Sequence, residues 1–169
     1  PRAWLARIRR SMSTLTPIFA SARMAREYVE KAYLPLARAL RARLADDCAD
    51  AKAAHAWAEY LRRYWSGLQI GSPTVVRTDD EWRFSVPVFL GEVSPTCVRV
   101  ELFADAQGEM PAEAIMLHQG AIIPGTLNGY VYAGGAAASR PMENYTVRIV
   151  PYREGIHIPA ELQLITWQR

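Results

Sequence analysis

The chain has little of what most enzymes and membrane proteins need. No apolar run approaches the roughly 20 residues of a membrane-spanning helix. No charged start is followed by an apolar stretch, so no signal peptide is expected. There are only 2 cysteines, Cys48 and Cys97, far apart and outside any metal-binding spacing; they read as reduced thiols of a cytoplasmic protein. The 3 histidines, His55, His118 and His157, are scattered, and no Asp-His-Ser order can be singled out from them. Glu154 and His157 stand three apart, but a metal site needs three or four ligands. Gly134-Gly135 lacks the lysine and following helix of a phosphate loop. No carboxylate pair stands out for glycosidase chemistry, and no internal repeat is visible. Catalytic, metal and cofactor residues are therefore assigned to none within this chain.

What is present is an ordinary globular composition, 50% hydrophobic and 22% charged over 169 residues, enough for one or two domains with a core. The net charge of +3 hides an asymmetry. Residues 1–66 carry 13 Lys and Arg against 6 Asp and Glu, whereas residues 67–169 carry 7 against 11. A nucleic-acid surface is one reading of the basic half. The arginines are spread around Ala-rich helices rather than massed on one stripe, so the expectation is no nucleic acid and no membrane. An acidic neighbouring domain would suit the same surface.

The organising stretch is Phe19 to Tyr33. Ala25, Tyr28, Val29, Ala32 and Tyr33 recur at three and four residues, one face of a helix. Ser21 is placed to cap it, and Pro17 to stop the helix before it. Residues 1–16 then form a first helix, with Trp4, Leu5, Ile8, Met12 and Leu15 along one side. So short and bulky a stripe must lie on something. Pro35 predicts a kink or break. Helix resumes from about Leu36 to Tyr64, with Leu36, Leu40 and Leu44 as one seam and Trp57, Tyr60, Leu61 and Tyr64 as another. Asp46-Asp-Cys-Ala-Asp50 is its weakest part, so one bent helix or two are both open.

At Gly67 the period changes from about 3.6 to two. Strands are expected at Thr74–Thr78, Trp82–Leu90 and Val98–Phe103, at Tyr145–Val150 and Leu162–Trp167, and more weakly at Ala114–His118 and Gly129–Ala133. Asp79-Asp80 reads as a hairpin turn. Pro87 cannot donate to a ladder, which puts its strand at an edge or a bulge. Gly134 to Ser139 has no pattern and reads as a mobile loop. The fold class expected is α+β: a helical hairpin or bundle over 1–66, then an antiparallel immunoglobulin-like β-sandwich over 67–169.

Trp82, Tyr130, Tyr132, Tyr145 and Trp167 fall on these strands. They fill a core or seal an interface, or they form a platform on which sugar rings stack. Tyr130 and Tyr132 are the better platform pair, because they share a face.

Trp4, Ser11-Met12 and Phe19-Ala-Ser-Ala-Arg-Met-Ala-Arg-Glu-Tyr28 resemble the closing helices of the α-glucan phosphorylases, glycosyltransferase family 35. Tyr33-Leu-Pro35 and the ending Glu143-Asn-Tyr-Thr-Val-Arg-Ile-Val-Pro151 … Leu162-Gln-Leu-Ile-Thr-Trp-Gln168 resemble the longer bacterial type. The likeness is strongest at those two ends and weak between about Gly67 and Gly135. It implies the C-terminal piece of a larger cytoplasmic enzyme that moves glucosyl units from an α-1,4-glucan to phosphate with pyridoxal phosphate. The opening at Pro1, inside a helical pattern, fits a piece of that kind. The cofactor-binding residues of that family lie upstream, so the cofactor would belong to the parent and this piece alone would be inactive. Arg23, Glu27 and Tyr28 match a helix that crosses between the two lobes, where they would serve in interdomain packing. Ala22 stands where the resemblance calls for a polar side chain. The partners that the resemblance implies are the missing N-terminal catalytic domains and an α-glucan; independently, if the sandwich leaves the apolar faces of helices 1–66 uncovered, a second copy joined through those exposed helices is expected. The alternative is a free-standing carbohydrate-binding or protein-interaction module.

Overall fold

A computed structural model describes residues 1–168. The chain divides into two compact units, Pro1–Ala53 and the remainder from Ala54.

The first unit is helical. Helix α1 spans Arg2–Phe19 and α2 spans Ser21–Tyr28; a wide π-turn, Val29–Tyr33, leads into α3, Leu34–Tyr64. Pro17 does not end α1. It removes one backbone donor inside the last turn, and the helix runs on until Ala20 takes an extended conformation, φ −64° and ψ 133°. Ser21 is not the cap: Ala20 is, and its carbonyl accepts from the N–H groups of Arg23 and Met24. Pro35 produces no break. The Leu34 N–H reaches back five residues to the Val29 carbonyl, and this widened turn gives the proline ring room where a regular turn would clash. The real break comes at Ala45–Cys48. Asp46, Asp47 and Cys48 have φ of 49°, 55° and 60°, a left-handed run that splits α3 into two helical stretches.

The second unit begins within α3 and contains, among the described residues, eight antiparallel strands: β1 (Gln69–Ile70), β2 (Thr74–Thr78), β3 (Glu81–Phe89), β4 (Val98–Ala104), β5 (Glu113–Ile122), β6 (Gly129–Ala137), β7 (Thr146–Pro151) and β8 (Thr166–Trp167). The order is β1-β3-β6-β5-β4-β7-β8, with β2 also on β3. Strand β5 serves two neighbours: Glu113–Leu117 pair with β4, and His118–Ile122 pair with β6. The two halves are thus one continuous antiparallel sheet. It curls nearly into a barrel, so that its end strands β1 and β8 line a common groove.

Alternation places the core. Phe84, Val86 and Val88 of β3 face inward with Val100 and Leu102 of β4 and Val147 and Ile149 of β7. The last turns of α3 and the short 3-10 turn Trp65–Gly67 that follows close one end: Leu61 and Trp65 are buried there, and Trp57, Tyr60 and Tyr64 pack beside them. The Tyr60 hydroxyl donates to the Glu92 carbonyl and accepts from the Ser94 N–H.

Two local expectations are corrected. Strand β3 is interior, yet it holds Pro87. The proline sits where β1 gives way to β2, and its carbonyl accepts from Gly71, so the missing donor falls at a gap in the ladder. The segment from Gly134 to Ala137 is strand, not loop. A Cβ at Gly134 would lie 2.7 Å from Leu117 Cδ2, and one at Gly135 would meet the Glu81 side chain. Glycine there reflects close neighbours, not mobility.

Candidate functional site

The helical unit places Arg23 and Glu27, four residues apart, on one face of α2, with Tyr28 about 100° further round the helix. Arg23 Nη1 lies 3.2 Å from Glu27 Oε1, and Lys31 Nζ lies 3.3 Å from Glu27 Oε2. Glu27 is thus clamped by bases four residues to either side. Exposed pairs of this spacing contribute about 0.3–0.5 kcal/mol each. Tyr28 stacks on Tyr33 with centroids 6.3 Å apart. Around them α1 and α2 bury no residue. Trp4 is 65% exposed and Phe19 77%, with Leu5, Met12, Met24 and Leu40 open as well.

In the β-unit, four of the five strand aromatics face inward. Tyr132 is 5% exposed and Tyr130 packs partly buried against the same core, so neither ring stands as an open platform. Burial, aided by neighbouring Tyr130, pushes the Tyr132 phenol up to about 12. Tyr145 packs edge-on against Phe84 and donates to Glu113 Oε1 at 2.7 Å; burial, and then this bond to a carboxylate, raise its phenol to about 12. Trp82 donates its indole N–H to the Arg140 carbonyl.

The fifth, Trp167, is open. It lies at the end of an outward-facing ladder over β4, β7 and β8. The register sets Glu101 opposite Arg148, and Arg148 opposite Trp167. The Arg148 guanidinium contacts Glu101 through Nε at 2.9 Å and Nη2 at 2.8 Å. It also lies 4.1 Å from the Phe103 ring centre and 5.5 Å from that of Trp167. Arg99 lies 3.7 Å over Tyr152. Arg99, Glu101, Arg148 and Tyr152 border a cavity of about 500 Å³ beside the loop that carries Glu154 and His157.

On the other side of β8 is the seam of the near-barrel, a groove of about 700 Å³. Trp65, Gln69, Ile70, Ile165 and Trp167 line it, and its described lining holds no charged side chain. The indole N–H of Trp65 is buried with no acceptor in the protein. An orphaned donor of that kind costs about 1–3 kcal/mol. Sequence reasoning reached Trp167 but missed Trp65 and Gln69. Their only sequence signal is position: Trp65 ends the helical pattern and Gln69 begins the strand pattern.

The histidines are exposed on separate elements: His55 on α3, His118 on β5, His157 on the loop after β7. No group of three His, Cys, Asp or Glu among the described residues is placed to hold a metal ion. The chain's two lysines, Lys31 and Lys52, lie exposed in ion pairs with Glu27 and Asp47. Neither has the sheltered setting of a Schiff-base lysine, so these residues do not fit pyridoxal phosphate. No described helix is long and apolar enough to cross a membrane.

No protein-family profile matches the chain, and no solved structure matches it significantly. A maltodextrin phosphorylase of Thermococcus litoralis is 28% identical over 98% of this chain, a stretch that makes up 20% of that protein. The chain thus spans about one fifth of the length of its curated relative. Along nearly its whole length it is similar to a segment of a phosphorylase.

Proposed function

We propose that the chain is the non-catalytic, C-terminal portion of an α-1,4-glucan phosphorylase of glycosyltransferase family 35, long bacterial type, working in the cytoplasm. Residues 1–66 are the closing helices of its catalytic body and residues 67–169 an appended β-domain, a variant of the immunoglobulin-like sandwich. The parent enzyme passes glucosyl units from glucan to phosphate with its own pyridoxal phosphate, and this portion serves packing and assembly. The observation that carries the reading is the end-to-end similarity to one fifth of a maltodextrin phosphorylase. The open apolar stripe of α1 supports it, since a body of several hundred residues supplies a surface to cover that stripe. Arg23, Glu27 and Tyr28 then hold the two lobes in register through packing.

Complementation tests this. A maltodextrin phosphorylase truncated before the matching segment is mixed with this chain, and phosphorolysis of maltoheptaose is measured. The expected result is no turnover by either piece and recovered turnover by the mixture. Turnover by this chain alone overturns the reading.

A further inference from the structure

We propose that the charged cavity beside the loop 152–159 binds a small phosphomonoester, with Arg99 as its principal contact. Its volume, about 500 Å³, falls within the ~300–1,000 Å³ of small-molecule sites. The register sets Arg99 opposite Val150 and Glu101 opposite Arg148, so these four side chains share the outer face of β4 and β7. That face is not open sheet here. Val150 is 8% exposed, and the Arg148 and Glu101 side chains 18% and 14%. Charges so sheltered interact more strongly than they do on an open surface.

The balance of charge in the lining is positive, with Arg99, Arg148 and Arg153 against Glu101 and Glu154. Arg148 is held to Glu101 Oε2 by two contacts, which occupies that carboxylate. Among the described residues Arg99 pairs with no carboxylate; its guanidinium lies 3.7 Å over the Tyr152 ring. A ring face steadies the planar fork and leaves its N–H groups to donate elsewhere. A guanidinium held this way is suited to paired N–H···O bonds with an oxyanion. The wall it leans on is itself fixed. The Tyr152 N–H donates to the Cys97 carbonyl at 2.8 Å, and Glu161 bonds the His157 backbone through both its N–H and its carboxylate. Little ordering is then left to be done on binding. A phosphomonoester carries more charge than a carboxylate and offers three acceptor oxygens, which serves Arg99 and a neighbouring cation together. Ile156, Ile158 and Ile165 add apolar wall, which suits an organic body on the phosphate rather than the bare ion. The inference rests on the cavity alone and stands apart from the phosphorylase reading.

The test is calorimetric titration of the full chain with ribose 5-phosphate, ribose, ribonate and inorganic phosphate. Saturable binding of ribose 5-phosphate is expected, with ribonate and inorganic phosphate at least tenfold weaker and ribose silent. Arg99→Gln, at an exposed position, should weaken binding at least tenfold with an unchanged thermal midpoint. Arg99→Lys keeps the charge without the fork and should recover only a small part of the loss. Arg83→Gln removes an exposed base on β3, outside the cavity, and should change nothing. Ribonate binding as tightly as ribose 5-phosphate sinks the phosphomonoester assignment. Inorganic phosphate binding as tightly means an adventitious ion only. That result overturns the proposal, as does no binding, binding indifferent to both Arg99 variants, or binding weakened equally by Arg83→Gln. None of these results touches the complementation experiment, so the two readings fail separately.

Discussion

At the scale of single residues, Arg140 is the most consequential side chain in the β-unit. It is 4% exposed. Its Nη1 and Nη2 donate to the Asp105 and Pro111 carbonyls, each at 2.7 Å, and Nε lies 3.3 Å from Glu113. A buried cation persists only when so fully paired. Arg140→Met strands two carbonyls and should cost about 3–5 kcal/mol in urea unfolding. Arg140→Lys should cost most of the same amount, because an ammonium cannot span both carbonyls as a planar fork does. The two raised phenols give a pH signature. Tyr132 and Tyr145 stay protonated in the fold to about 12, against roughly 10 in an unfolded chain. Their stabilisation is complete below pH 10 and lost as pH rises from about 10 toward 12, on the order of 2 kcal/mol per ring. Tyr132→Phe should flatten that fall by about half, measured as unfolding free energy against pH. None of this was legible beforehand. The sequence shows an arginine after a glycine-alanine run and tyrosines on strands, and partners some thirty residues away leave no local pattern.

At the scale of elements, period was the legible quantity. Strand β4 alternates as expected, with Val98, Val100 and Leu102 buried between Arg99, Glu101 and Phe103, because one residue in two had to be apolar to face the core. The seam Trp57, Tyr60, Leu61 and Tyr64 is a packed helix face for the same reason at a different period. Failures came where backbone geometry, not hydrophobicity, decided. The left-handed run at Asp46–Cys48 falls within Asp46–Asp50, which the sequence marks as the weakest helical stretch, but the widened turn before Pro35 and the continuation of β6 through Gly134 and Gly135 carry no periodic signal. Close approach explains the last, and it recurs on β5. A Cβ at Gly120 would lie 2.9 Å from the Val131 carbonyl oxygen, where the register with β6 shifts between Gln119 and Ile122. Backbone cannot swing aside as a side-chain tip can. Gly120→Ala should therefore destabilise the β-unit by about 1–3 kcal/mol, read from the midpoint of thermal unfolding.

At the scale of the whole molecule, the two units are built on unequal terms. The β-unit has an inward face on nearly every strand and closes on itself apart from one seam. The helical unit leaves Trp4, Leu5, Ile8, Met12, Leu15 and Phe19 open along a single helix. A stripe of that size is unstable in water without a partner. In the proposed setting the partner is the body of the parent enzyme. For the chain by itself the nearest matching surface is the same stripe on a second copy, since identical apolar faces are self-complementary under two-fold symmetry. Sedimentation velocity over a hundredfold range of concentration should then show self-association. Adding salt should strengthen it, because the helical half carries 13 bases against 6 acids and the like charges brought together are screened. Leu5→Glu with Met12→Glu puts two carboxylates into the stripe, which must be desolvated on association. That pair should return the chain to a monomer while the β-unit, which uses neither residue, keeps its unfolding midpoint. A wild-type chain that stays monomeric throughout would mean that the stripe is covered within the chain, and that docking against a larger body is not what its exposed side chains are for.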